Sequence, residues 1–437
     1  MLGLRKRKRP TQLRSSQQPS GHEMYNLHLS REQLEIRDTI RDFVEQEIKP
    51  VALKADRLEA CDRELPMQLL DQASQIGLRT LALSQARGGA GADALTCCLV
   101  AEELAAGDAD IAATLLETSR LAHVLFDQAM NDSQRERFLS RFLTDDRFYL
   151  ADARHEGEFA SWLGANYHRP VTIGSLPNTT AIRSDSGDWI VNGIKDGVAG
   201  AQLAALFAVH VQIPERPASS VLLVPADVSG LTVAPHENAW RLGPCGDVTF
   251  KNCRVPDGNL LDDRGAALLM KSERPGRGNP LFQALNLGIG RAAYEAALGY
   301  ARLRVQGGRR IIEHQAIGTI IAEMAIKLEV SRATIWQAAW ASEHPDAIAD
   351  QSLPDLPVET MARVFTSEMM LKVTKDAAAV FGAMGVMRDM PLHKYLRDAR
   401  ICQQHGDTTS EAKLRIAEDL AGYLRIPAGE LLAAFNQ

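Results

Sequence analysis

The sequence predicts an α+β fold, mainly α, in three parts: an N-terminal helical domain, a central antiparallel β-barrel or sandwich domain, and a C-terminal four-helix bundle. Apolar residues recur at helical spacing before about residue 147 and again beyond Leu261, as in helices that bury one face. Between those limits, short alternating or apolar runs are separated by Asn-Gly, Ser-Gly and proline signals, the pattern of a small β unit. A chain of 437 residues with 45% hydrophobic content can furnish more than one core. The boundaries read as 1–26 for a disordered basic leader, 27–146 for the first helical domain, 147–262 for the β domain and 263–437 for the bundle.

In the leader, Arg5-Lys6-Arg7-Lys8-Arg9 lies among Ser, Gln and Pro and reads as a solvated tail. No apolar stretch follows it, so no secretory signal is expected. Ser30-Arg31-Glu32-Gln33 forms a capping box, so a helix should start at Ser30. Leu34, Ile36, Ile40 and Phe43 supply its apolar face, and Pro50 stands past its end. Further helices are expected over 67–76, 99–106, 111–126 and 133–143, with a tight turn at Gly88-Gly89-Ala90-Gly91. Strands are expected over 189–191, 206–211, 220–224 and 248–250, and Asn192-Gly193 is the strongest hairpin-turn signal. Helices return over 284–304, 313–341, 358–381 and 411–423. No internal repeat is evident.

Composition excludes several roles. The formal charge of −6 comes from intermixed acids and bases, which argues against nucleic acid as a partner. No apolar run approaches the roughly 20 residues of a membrane span. Cys61, Cys97, Cys98, Cys245, Cys253 and Cys402 have no C-x-x-C spacing, so reduced thiols in a cytoplasmic protein are expected, without a metal site. Glu313 and His314 face different sides of their segment, and Glu102-Glu103 reads as a helix face whose adjacent side chains do not converge.

The most specific run is Ala379-Val380-Phe381-Gly382-Ala383-Met384-Gly385, continuing through Pro391, Lys394 and Arg397-Asp398-Ala399 to His405-Gly406-Asp407-Thr408. Upstream stand Tyr300-Ala301, Arg304 and Gly308, then Ile312-Glu313-His314-Gln315-Ala316-Ile317. Asn192-Gly193-x-Lys195 and Phe250-x-x-Cys253-x-Val255-Pro256 occur in the β region. In this order the segments resemble the acyl-CoA dehydrogenases over roughly residues 27–424. The resemblance implies FAD, an acyl-CoA thioester substrate, and a flavin site shared between subunits. It therefore implies an oligomer: a homodimer, a homotetramer, or a heterotetramer with a homologous subunit.

Carried over residue by residue, the resemblance assigns the ADP side of the cofactor to Arg304, Gln315, Gly382 and Gly385, and adds Thr408 as a further cofactor-binding residue. A guanidinium suits pyrophosphate because its planar fork binds two oxygens. The ring-holding segments fall on Asp152-Ala153-Arg154 with Gly157-Glu158-Phe159, and on Asp196-Gly197-Val198-Ala199; neither keeps the family's residues. The family's catalytic glutamate falls on Gly406, and the position used by other branches falls near Gly278, with Glu273 five residues away. His405 and Asp407 are then the candidates for a displaced base. Arg87 is the candidate cation for elimination of a β-substituent. Four functions are open: a dehydrogenase with an unrecognised base, the ADP-side subunit of a heteromeric dehydrogenase, a non-redox acyl-CoA elimination enzyme, and a flavin-free scaffold.

Overall fold

The computed structural model describes residues 28–54, 58, 64–156, 177–235, 242–272, 280–344, 346, 355–404 and 409–422. Helix α1 (Arg31–Phe43) begins as the sequence predicts: Ser30 Oγ accepts from the Gln33 amide at 3.1 Å, and Gln33 Oε1 accepts from the Ser30 amide at 3.0 Å. A wide π turn over Val44–Ile48 leads into the short α2 (Lys49–Ala52). Then follow α3 (Met67–Gln75), α4 (Ala94–Gly107), α5 (Ala109–Ala122) and α6 (Asp132–Thr144). Asp108 separates α4 from α5 and caps the latter, its Oδ1 accepting from the amides of Asp110 and Ile111. That cap lets two helices abut with no loop between them.

The β region comprises β1 (Tyr149–Ala153), β2 (Thr180–Arg183), β3 (Trp189–Ala199), β4 (Ala204–Val211), β5 (Ser220–Pro225), β6 (Leu231–Pro235) and β7 (Cys245–Val255). They form two sheets, ordered β1-β4-β5 and β2-β3-β7-β6. The two sheets stack as an open sandwich rather than a closed barrel. Their shared core includes Phe207, Val209 and Leu222 from the first sheet and Val191, Val248 and Phe250 from the second. The other face of the first sheet packs Leu206, Ala208, Val221 and Leu223 against Phe126, Phe142 and Leu269 of the helices. This sheet is covered on both sides, which is why β4 and β5 read as nearly continuous apolar runs.

The antiparallel expectation holds for most strand pairs with one exception, and one local expectation is overturned. β1 runs parallel to β4, so the domain is not wholly antiparallel. The chain passes through β2 and β3 of the other sheet before β4, and that excursion supplies the crossover a parallel pair requires. Asn192-Gly193 is not a turn either: β3 continues through it, and the pairing with β7 shifts register between Val191 and Gly193. Gly193 has φ +147°, and a Cβ there would lie 2.5 Å from Thr179 Oγ1. The dipeptide makes a bulge at a close approach instead. The two-residue turn with positive φ occurs at Gly307 (+62°) and Gly308 (+81°), joining β8 (Val305–Gln306) to β9 (Arg309–Arg310).

The remaining helices are α7 (Asp263–Ser272), α8 (Pro280–Leu303), α9 (Gln315–Glu343), α10 (Val358–Phe381), α11 (Leu392–Gln404) and α12 (Thr409–Ala421). Helices from both ends of the chain share one core, in which Val44, Ala101 and Leu104 join Leu287, Leu328 and Met370. At Gly288 a Cβ would lie 2.3 Å from the Glu102 carbonyl oxygen, so α4 and α8 touch backbone to backbone.

At this contact the adjacent Glu102 and Glu103 converge after all. Both are buried, and Arg291 of α8 bridges them, with Nε 3.1 Å from Glu102 Oε1 and Nη2 2.7 Å from Glu103 Oε2. Arg332 of α9 grips Glu102 at 2.7 and 3.1 Å, and Arg41 of α1 grips Glu103 at 2.7 and 3.2 Å. The two side chains leave the helix in different directions, yet a guanidinium is wide enough to span them. Burial works against the charge on Arg291 and Arg332, but Glu102 and its acidic neighbours hold both above their ordinary range. A cavity of about 480 Å³ opens beside the network, bounded also by Glu295 and Trp336. Truncating Arg291 to Ala leaves two buried carboxylates short of a partner, and we expect a loss of about 3–5 kcal/mol in urea unfolding. The same truncation of exposed Arg31, paired with Glu35 at 2.9 Å, should cost under about 0.5 kcal/mol.

Candidate functional site

One end of the bundle collects Arg304, Gln315, Gly382 and Gly385, which the resemblance assigns to the ADP side. Tyr300 and Phe381 stack with ring centroids 4.3 Å apart and bring the ends of α8 and α10 together. Arg304 follows α8, its amide donating to the Tyr300 carbonyl and its own carbonyl accepting from the Ile311 amide. Its side chain is exposed, as are Arg309 and Arg310 on the hairpin beyond it. His314 Nε2 lies 2.9 Å from the Gln306 carbonyl and holds the hairpin against the start of α9, where Gln315 is the first and exposed residue.

Gly382 ends α10 with φ +58° and ψ −131°, a backbone conformation that only glycine adopts readily. A Cβ on it would meet nothing within 4 Å, so its backbone faces open space. Gly385 is required for a different reason: a Cβ would fall 2.3 Å from the Ala378 carbonyl oxygen. Near these residues the apolar side chains of Leu303 and Val386 are 82% exposed and that of Val305 is 60% exposed.

The ring-side positions are built otherwise. On β1, the Asp152 side chain is 6% exposed, with Oδ2 2.9 Å from Arg154 Nη2 and Oδ1 2.9 Å from His210 Nε2 of β4. Arg154 also donates to the Leu269 carbonyl on α7. Burial alone would raise the Asp152 carboxyl, but Arg154 and His210 hold it below the usual carboxylate range. Burial lowers the His210 imidazole despite Asp152, so His210 is the neutral donor to a charged carboxylate. A second buried pair lies alongside: Lys195 Nζ is 2.6 Å from Glu156 Oε1 and 3.3 Å from the Arg154 carbonyl. Glu156 also accepts from the amides of Asn178 and Thr179 and from the Thr179 hydroxyl. In the second ring-side segment the amides of Asp196 and Gly197 already donate to the His155 carbonyl and to Asp247 Oδ1.

His405, Gly406, Asp407 and Thr408 lie outside the described residues, and so do Gly157-Glu158-Phe159, Glu273 and Gly278. Arg87 ends the 3-10 turn Gln85–Arg87 and is partly exposed. It acts on Asp132 at the start of α6, helping to lower that carboxyl behind the larger effect of Arg135. The run from Pro391 holds the helices together: Lys394 Nζ is 2.7 Å from Asp398 Oδ2 and 3.5 Å from Oδ2 of Asp108, the cap of α5. All three are buried. Arg397 donates to the Leu58 carbonyl at 2.9 Å.

Family models match the chain in three consecutive stretches, described as the N-terminal, middle and C-terminal domains of acyl-CoA dehydrogenase and covering residues 30–146, 174–253 and 263–420. An acyl-CoA dehydrogenase of Bacillus subtilis is 30% identical over 403 residues, which is 91% of this chain and 100% of the relative. The chain belongs to the acyl-CoA dehydrogenase family. Solved structures agree in fold. Butyryl-CoA dehydrogenase of Megasphaera elsdenii matches 91% of this chain and 100% of its own, with a TM-score of 0.76 at 22% identity. A glutaryl-CoA dehydrogenase of Mycobacterium smegmatis in complex with FADH2 matches 91% and 96%, with a TM-score of 0.74 at 18% identity.

Set against a flavin dinucleotide, the two halves of this acyl-CoA dehydrogenase-family chain differ. At the ADP side, Arg304, Gln315 and the open backbone of Gly382 fit an anionic group approaching from outside. At the ring side, Asp152 of β1 is paired with Arg154 and with His210 of β4, Lys195 of β3 is paired with Glu156, and the Asp196–Ala199 segment contains no hydroxyl or indole side chain. Sequence reasoning missed these internal pairs, although a histidine inside the apolar β4 run and an acid on the apolar β1 run were their trace.

The buried pairs fix a pH dependence. The unfolded chain protonates His210 near pH 6.5 and its carboxylates near pH 4. The folded chain takes up those protons only at lower pH, because His210, Asp152 and Glu156 are all lowered. Stability should therefore fall as pH drops below about 6.5 and fall further below about 4. Thermal unfolding between about pH 7.5 and 5 should show this decline, with a flatter slope in His210→Gln; a midpoint constant over that interval would contradict the assignment.

Proposed function

We propose that this chain acts on acyl-CoA metabolism as the ADP-side subunit of a heteromeric, FAD-dependent acyl-CoA dehydrogenase. One observation carries the reading. The positions that would face the ADP moiety are open and flanked by exposed Leu303, Val305 and Val386, whereas the ring-side positions are closed by the Asp152–Arg154–His210 and Glu156–Lys195 contacts. Arg304, Gln315, Gly382 and Gly385, with Thr408, would hold the pyrophosphate end of an FAD whose ring rests in a homologous partner. A bound flavin supplies the hydride acceptor that oxidation of an acyl thioester needs. This chain contributes charge and shape at the far end of the cofactor, and glycine at position 406 leaves proton abstraction to the partner. The matching relatives are named as acyl-CoA dehydrogenases, which supports the substrate class.

The visible spectrum tests the assignment. Purified alone, the chain should carry little flavin; co-expressed with a homologous catalytic subunit, it should yield a yellow complex with FAD bound. Reduction of an artificial acceptor by acyl-CoA with this chain alone would overturn it. In the complex, Arg304→Gln should weaken FAD retention by roughly 10- to 100-fold, the worth of one charge-assisted contact, with no change in the thermal midpoint of the isolated chain.

A further inference from the structure

Three polar side chains inside the C-terminal bundle have no hydrogen-bond partner among the described residues. They are Asn286 on α8, at both amide atoms, Ser331 on α9 and Thr366 on α10, and each has 0% exposure. Other buried hydroxyls in these helices bond back to their own backbone: Ser367 donates to the Arg363 carbonyl and Thr374 to the Leu371 carbonyl. Ser331 and Thr366 do not take that local option, and Asn286 lacks it.

Helix directions place the three in one layer. Gly290 packs on Met370 and Tyr300 stacks on Phe381, so α8 and α10 advance in parallel. Gly290 also meets Leu328 while Gly307 meets His314, so α9 runs the opposite way. Asn286 and Thr366 stand one helical turn before Gly290 and Met370. Ser331 stands almost one turn after Leu328, which is the same direction along the bundle.

A primary amide and two hydroxyls facing one layer offer donors and acceptors but no charge. Arg332, next to Ser331, is engaged by Glu102 and Glu329. We infer that this layer is a buried binding site for water, one molecule or a small cluster, held jointly by Asn286, Ser331 and Thr366. Water inside proteins occupies such positions with two to four polar partners, and hydroxyls left unpaired in a dry core carry the full cost of desolvation. The inference is independent of the nucleotide-side reading.

Thr366→Val tests it by sign, because the replacement keeps shape and removes only the hydroxyl. If water bridges the layer, the substitution breaks a bond and should lower the thermal midpoint by about 1–3 °C. A raised or unchanged midpoint means the hydroxyl was unpaired, and overturns the site. Ser331→Ala should cost less in the Thr366→Val background than alone, since both act through one bridge; strict additivity counts against it. A high-resolution crystal structure should place ordered solvent within about 3 Å of the Asn286 amide and of both hydroxyls. Direct bonds among the three side chains with no solvent between them would also overturn it.

Discussion

Two adjacent glutamates inside an apolar helix set the constraint from which the helical architecture follows. Glu102 and Glu103 occupy the buried length of α4, and isolated carboxylates in such surroundings would be far too costly to keep charged. They are tolerated because Arg41, Arg291 and Arg332 arrive from α1, α8 and α9. Those helices belong to opposite ends of the chain. The network is no large source of net stability, since desolvation of five charges offsets most of their attraction. Its effect is geometric: a helix that slid by one turn would leave a buried charge unmatched.

That frame carries the site. With α8 fixed against α4 by the Gly288 contact, the stacked Tyr300 and Phe381 rings bring the Arg304 hairpin and the Gly382 turn to one end of the bundle. Lys394 and Asp398 tie the following helix to the cap of α5, so the signature run serves packing. The β domain applies the same rule to its own interior. Asp152 and Lys195 are each neutralised from within the chain. Buried charges need partners, and partners found internally are withdrawn from a ligand.

How much of this was legible in the sequence depended on how local each feature is. The capping box at Ser30 and the extent of Val358–Phe381 followed from residues a few positions apart. Asn192-Gly193 misled because a turn signal is local, whereas β3 is held straight through it by β7 and by the approach of Thr179. Glu102-Glu103 misled through the same kind of neighbour reasoning: side chains that diverge from one helix can still meet on a third group.

The sequence by itself determined the three-part plan, the family and the glycine at position 406. These rest on spacing and on residue identity, both of which are written along the chain. Only the tertiary structure decided where the charges go: that Arg291 joins two glutamates 188 or more positions away, and that His210 serves Asp152. The reason is physical. Periodicity tells a residue which way to face, but the partner that makes a buried charge affordable is chosen by three-dimensional proximity.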